Sequence, residues 1–190
     1  MTITAWPFGD LRLMHYGVIL CDSPWYFKNY SAKGEEKNPM AHYDCMDLAA
    51  IKALPVSQLA RPDAVCVMWA TAPFLAEAIS TMAAWGFAFK SAGAWAKQSP
   101  SGKGWAFGCG YRYRGAAEFW LFGTLGNPRQ HAQNVRNLIV APVREHSRKP
   151  DRMHEDIEAM WEPPYCELFA RESTRKNWEV WGNQTEKFNA

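Results

Sequence analysis

Asp22-Ser23-Pro24-Trp25 is the stretch of this chain best equipped for chemistry. It follows the apolar run from Tyr16 to Cys21, which reads as a buried strand, so a carboxylate and an indole are delivered together at that strand's carboxyl end. Open α/β sheets bind their ligands at that end. An acid, any residue, proline and an aromatic in sequence suit a site that grips a planar base bearing an exocyclic amine: the carboxylate accepts a hydrogen bond from the NH2 while the ring stacks on the base. The plainer alternative is that Asp22 caps a turn and Trp25 belongs to the core.

A second concentration of chemistry lies in mid-chain. Between Glu77 and Glu145 the single acid is Glu118, against Lys90, Lys97, Lys103, Arg112, Arg114, Arg129, Arg136 and Arg144, although the net charge of the whole chain is only +2. Within this block, Lys97 to Arg114 interleaves Trp105, Phe107, Tyr111 and Tyr113 with glycines. Such a loop is suited to contacting phosphates and stacking on bases, with Lys97, Lys103, Arg112, Tyr111 and Arg114 as candidate nucleic-acid contacts. A solvated surface loop with aromatics tucked beneath it fits the same composition.

The elements that must hold these residues alternate along the chain. Strands are expected at Tyr16 to Cys21, Ala64 to Ala70, Phe87 to Ala96, Ala116 to Phe122, Leu138 to Pro142, Tyr165 to Phe169 and Trp178 to Trp181. Helices are expected within Met46 to Leu59, interrupted at Pro55, from Pro73 to Trp85, and from Asp151 to Met160. This alternation predicts an α/β fold with a mostly parallel sheet covered by helices on both faces. At 190 residues and 48% hydrophobic the chain fits one domain, 1–190, with enough apolar material for a substantial core. Phe27 to Met40 and the glycine-rich stretch read as loops flanking the candidate chemistry.

Several function classes lose support. There is no G-x-G-x-x-G, no G-x-x-x-x-G-K-[ST] and no G-x-S-x-G, so phosphotransfer and serine-hydrolase readings recede. Five cysteines without a C-x-x-C pair, three of them in apolar runs, read as reduced packing thiols; neither a disulfide nor a metal site is expected. The apolar stretches fall far short of the roughly 20 residues of a membrane span. With no basic-then-apolar segment at the N-terminus, a cytoplasmic protein without membrane contact is expected.

A set of short motifs now carries a resemblance. After the tetrapeptide come His42-Tyr43, the run Val65 to Pro73, Gly108-Cys109-Gly110-Tyr111, Glu118 before Gly123, Ala141 to Asp151, Glu167 to Arg171, and Trp181-Gly182-Asn183-Gln184. In this order, and across Leu11 to Lys187, they resemble the MT-A70-like adenine methyltransferases. The resemblance implies a Rossmann-like class I methyltransferase fold in permuted order, the acceptor motif preceding the cofactor motifs. It also implies methyl transfer from S-adenosylmethionine to the N6 amine of adenine. By the same resemblance Asp22, Ser23, Pro24 and Trp25 form the catalytic motif, the Ser23 carbonyl sharing the amine with Asp22 where relatives most often carry proline. Asp22, Lys149, Arg171, Thr174, Asn183 and Gln184 map onto the cofactor pocket, with Lys149 meeting the methionine carboxylate. Arg148 and His146 read equally as surface residues or as contacts to ligand or nucleic acid.

Glu118 lies in an apolar strand, where an unpaired carboxylate would be costly, so a buried partner such as Arg114 is expected. Gly182 is expected to supply backbone freedom to the turn presenting Asn183. The compact chain resembles stand-alone DNA-modifying members more than RNA-modifying subunits. An RNA N6-adenosine methyltransferase, or a non-catalytic nucleic-acid-binding subunit of the same fold, are the alternatives. Ten tryptophans would also fit a homodimer interface, though an aromatic-rich core accounts for them.

Overall fold

The computed structural model describes residues 6–25, 45–108, 110 and 112–189. His42, Tyr43, Cys109, Tyr111 and the expected loop from Phe27 to Met40 lie outside them. Among the described residues the strands are β1 (Tyr16–Cys21), β2 (Ala60–Ala70), β3 (Ala88–Gln98), β4 (Ala117–Leu125), β5 (Leu138–Pro142), β6 (Tyr165–Leu168) and β7 (Trp178–Trp181). The helices are α1 (Leu48–Ala53), α2 (Leu75–Ala84) and α3 (Arg152–Met160).

The strands form one seven-stranded sheet in the order β5-β3-β4-β2-β1-β6-β7. β4 runs antiparallel to both its neighbours and every other ladder is parallel, so six strands share a direction and β4 alone opposes them. This mixed sheet, with few helices, places the chain in the α/β class. β1 is buried along its whole length, as its unbroken apolar run requires.

Alternation of side chains divides the core in two. Ile19 and Cys21 of β1, with Ala64, Cys66 and Met68 of β2, face Ile51 of α1 and Met82 of α2. Val18, Leu20, Val65, Val67 and Trp69 face the other way, onto Met153 and Ile157 of α3. Helices therefore cover both faces. Burial pushes the Cys66 thiol up to about 12 and raises Cys21 and Cys166 as well, which suits packing thiols rather than reactive ones.

Two elements depart from expectation for local reasons. β2 starts at Ala60 rather than Ala64, because Tyr16 pairs with Ala60 and Val18 with Val65; the polar Arg61-Pro62-Asp63, which reads as a loop, is absorbed there as a bulge. The helix expected from Pro73 begins instead as a 3-10 turn over Ala72–Phe74 that leads into α2.

The topology matters most at one edge. Six strands end there and β4 begins there. β1 stands between β2, next to it along the sheet in one direction, and the much later β6 in the other. The carboxyl end of β1 is thus a switch point in strand order, the place where such sheets bind ligands.

Candidate active site

Asp22 follows β1 directly, and its Oδ2 accepts a hydrogen bond from Lys149 Nζ at 2.9 Å. Lys149 Nζ also lies 3.0 Å from Glu118 Oε1, and Glu118 Oε2 lies 2.6 Å from Lys97 Nζ. Arg171 Nη2 approaches Asp22 Oδ2 from the other side at 4.0 Å. The result is an alternating row, Arg171, Asp22, Lys149, Glu118, Lys97, whose members come from the ends of β1, β3 and β6, the start of β4 and the segment before α3. Lys149 and Lys97 rest over the indoles of Trp69 and Trp95 at 5.6 and 4.7 Å from the ring centres.

Burial sets the electrostatics. The Glu118 side chain is only 10% exposed. Burial alone would raise its pKa, but the ammonium groups of Lys149 and Lys97 overcome this and hold it down at about 2. For Lys149, burial disfavours the charge, and the carboxylates of Asp22 and Glu118 reverse that and raise its pKa. A carboxylate whose pKa is depressed by folding stabilises the protein above its unfolded pKa near 4.5 and loses that contribution as pH falls toward 2. Wild-type minus Glu118→Gln unfolding free energy should therefore be largest above pH 5 and shrink by roughly 3 kcal/mol in the acid limit. Urea titrations of both proteins from pH 7 down to pH 3 should already show roughly 2 kcal/mol of that loss; a pH-independent difference would refute the assignment.

The loops after β6 and β7 close the site from its other side. Phe169 and Ser147 hold φ of 60° and 65°, a left-handed conformation that costs a non-glycine residue about 1–2 kcal/mol each. Both are at the rim: the Ser147 carbonyl accepts from Arg171 Nη1 at 3.3 Å, and Phe169 immediately precedes Ala170, whose N–H donates to Trp181 O at 3.0 Å. A Cβ on Gly182 would stand 3.0 Å from Ala170 N and O. Close approach of two backbones, rather than the conformational freedom expected from sequence, is what Gly182 provides. Asn183 and Gln184 then line a recess of about 430 Å³ with Thr185, Glu186 and Lys187.

The other expected site residues divide. Ser23 is buried, its hydroxyl 3.0 Å from Cys21 Sγ and its carbonyl accepting from Trp25 N–H at 2.9 Å. The Pro24 carbonyl accepts from Met46 N–H. Trp25 takes a different place from the one expected of a base-stacking ring: it is 8% exposed, packs in the α1/α2 core and lies parallel to Phe74 with ring centres 5.9 Å apart. Thr174 is exposed and bonds to Glu172 rather than entering the network.

Among the candidate nucleic-acid contacts, Lys97 is corrected to a member of the buried row, because Glu118 and not a phosphate neutralises it. Arg148 is likewise engaged, with Glu145 at 3.1 Å, Glu172 at 3.7 Å and the Phe188 ring beneath its guanidinium. Lys103, Arg112 and Arg114 are exposed. Glu118 finds Lys149 and Lys97 as partners rather than Arg114, which lies over Phe107 instead. Sequence reasoning thus reached Asp22, Lys149 and Arg171 but missed the pairing of Glu118 with Lys149 and Lys97.

The profile of the MT-A70 family matches residues 16–184. The chain is 28% identical over 195 residues to the type II methyltransferase M.MunI of Mycoplasma sp, covering 92% of this chain and 80% of that protein. It is also 28% identical to an MT-A70-like N(6)-adenosine-methyltransferase of Arabidopsis thaliana and to a probable one of Oryza sativa subsp. japonica. In those two plant alignments it covers 89% and 90% of itself but only 24% and 23% of the longer proteins. The matched span opens on the first residue of β1, the strand that leads into Asp22, and closes on Gln184 beyond β7: the chain belongs to the MT-A70 family of methyltransferases.

Proposed function

We propose that this chain transfers a methyl group from S-adenosylmethionine to the N6 amine of adenine in DNA, on a Rossmann-like sheet whose acceptor motif precedes its cofactor motifs. The observation that carries the reading is the carboxylate at the switch point. Lys149 fixes Asp22 through Oδ2, and Oδ1 has no hydrogen bond among the described residues. A carboxylate fixed through one oxygen can turn the other toward an amine donor.

The residues suit the cofactor on electrostatic grounds. Lys149, held between Asp22 and Glu118, brings an ammonium to the end of β1, and a cation there suits a ligand that carries a carboxylate. Lys149 has three N–H donors and two are spent on carboxylates; the third would meet the methionine carboxylate. Asn183 and Gln184 offer amides to hydroxyl groups at the neighbouring recess. S-adenosylmethionine, when bound, supplies a methyl group already activated on a sulfonium.

What remains for the protein is to orient the nucleophile. Adenine's amine is weak because its lone pair is delocalised into the ring. Asp22 Oδ1 and the second lone pair of the Ser23 carbonyl would accept its two N–H groups, drawing the nitrogen toward tetrahedral geometry and stabilising the positive charge that develops on it. Once nitrogen carries the methyl group it must give up a proton, which Asp22 Oδ1 would accept and pass to solvent. Trp25, stacked on Phe74 in the core, would anchor the Asp22-Ser23-Pro24 backbone from behind.

DNA as substrate is supported by the breadth of the match to the type II methyltransferase, which spans most of both chains. The plant relatives' description as adenosine methyltransferases favours RNA as the second reading. No helix among the described residues is long and apolar enough to cross a membrane. Incubation with labelled S-adenosylmethionine and either unmethylated DNA or RNA is expected to label adenine in DNA. Label on RNA alone would replace the substrate; cofactor binding without label on either would leave a binding subunit.

A further inference from the structure

The connection between β3 and β4 is rooted in the buried row. Lys97 and Glu118, near its two ends, hold each other, and the backbone is tied by Lys97 N–H to Ala116 O at 2.8 Å, Ala106 N–H to Lys97 O at 2.8 Å and Gly108 N–H to Gly115 O at 2.9 Å. Beyond these ties it presents rings to solvent. Trp105 is 65% exposed, Phe107 77% and Tyr113 90%. Phe89 is the only other aromatic among the large exposed apolar side chains of the described residues. Leaving rings in water forgoes burial worth about 25 cal/mol for each Å². The surrounding charge has one sign: no acid occurs between Glu77 and Glu118, and the Arg114 guanidinium lies 4.4 Å over the Phe107 ring.

Rings interleaved with cations match one kind of partner better than others. A paired duplex presents phosphates but hides its base faces, so the cations would suffice and the rings would meet nothing. A protein interface would carry its aromatics in a core from which charge is depleted, with the charge at the rim. Unpaired nucleotides use both at once, bases on the rings and phosphates on the cations. We propose that Trp105, Phe107 and Tyr113 form a stacking platform for unpaired nucleotides flanking the target adenine, so that the substrate is held as a single strand or a locally opened duplex. The location of the target rests on the methyl-transfer reading; the platform itself does not.

The test uses the full chain, a labelled single-stranded oligodeoxynucleotide and the blunt duplex of the same sequence, with fluorescence anisotropy across a salt series. Wild type is expected to prefer the single strand. Phe107→Leu with Tyr113→Leu should weaken single-strand binding about tenfold or more and leave duplex affinity and the salt slope in place. Arg112→Ala with Arg114→Ala should instead flatten the salt slope for both probes. Equal weakening of both probes by the leucine pair, or none, overturns the platform. So does a fall in the sedimentation mass of the free leucine variant with single-strand affinity intact, which would make the surface a contact between copies. Calorimetry with S-adenosylmethionine separates the two readings: a chain that stacks single strands yet binds no cofactor keeps the platform and loses methyl transfer.

Discussion

Asp22→Asn is expected to lower single-turnover methyl transfer by a factor on the order of 10²–10³ while leaving the fold intact. The substitution keeps the shape of the side chain and removes its charge. An amide oxygen still accepts a hydrogen bond, but it offers less stabilisation to the positive charge that grows on the nucleophilic nitrogen, and that charge is where preorganised electrostatics act. Folding should survive because Lys149 keeps Glu118 at 3.0 Å as a full counter-charge. S-adenosylmethionine affinity should change only a few-fold, since Lys149 and Arg171 remain. A variant that turns over near the wild-type rate would remove Asp22 from the reaction.

The second large effect is on stability. Lys149→Met should destabilise the protein by about 3–5 kcal/mol, the usual result of deleting one partner of a buried ion pair. Here the loss leaves two carboxylates, at 15% and 10% side-chain exposure, without the ammonium between them. Arg171 at 4.0 Å cannot take its place for Asp22, and Lys97 serves only Glu118. Adding Glu118→Gln to Lys149→Met should recover 1–3 kcal/mol, because the two positions are in contact and their effects are not additive. Urea unfolding of both single variants and the double variant closes the cycle. Strict additivity would mean that the row is not energetically connected.

How far this site can be read from sequence depends on whether a residue's partner is near it along a predictable element. Asp22 was legible because one apolar run fixes β1, and the strand's end fixes the carboxylate. The family pattern reached Lys149 and Arg171 without their partners. Glu118 could be flagged as a charge in an apolar strand, yet its nearest cation in sequence, Arg114, was the wrong choice. Lys97 and Glu118 meet as diagonal neighbours of an antiparallel pair in which Trp95 stands opposite Glu118. Alternating β and α segments predict parallel neighbours, and β4 is the strand that breaks the rule, so the diagonal could not be drawn. Trp25 was misplaced for a related reason: sequence gives the end of β1, whereas the orientation of the indole depends on Phe74, which arrives from the turn after β2. The bulge over Arg61-Pro62-Asp63 was hidden because polarity and proline mimic a loop when register with β1 is unknown.

The lone reversed strand also has a temporal consequence. β1 to β4 occupy contiguous places in the sheet, whereas β5 is added at one margin and β6 and β7 at the other. As the polypeptide leaves the ribosome, N-terminal end first, those central four strands are complete while Lys149 and Arg171 have still to be synthesised. A rim built from those four strands alone would bring Asp22 and Glu118 together with Lys97 as the one cation of the row present. The ammonium of Lys149 and the guanidinium of Arg171 arrive only with the final quarter of the sequence, so the row can be completed only after its central strands.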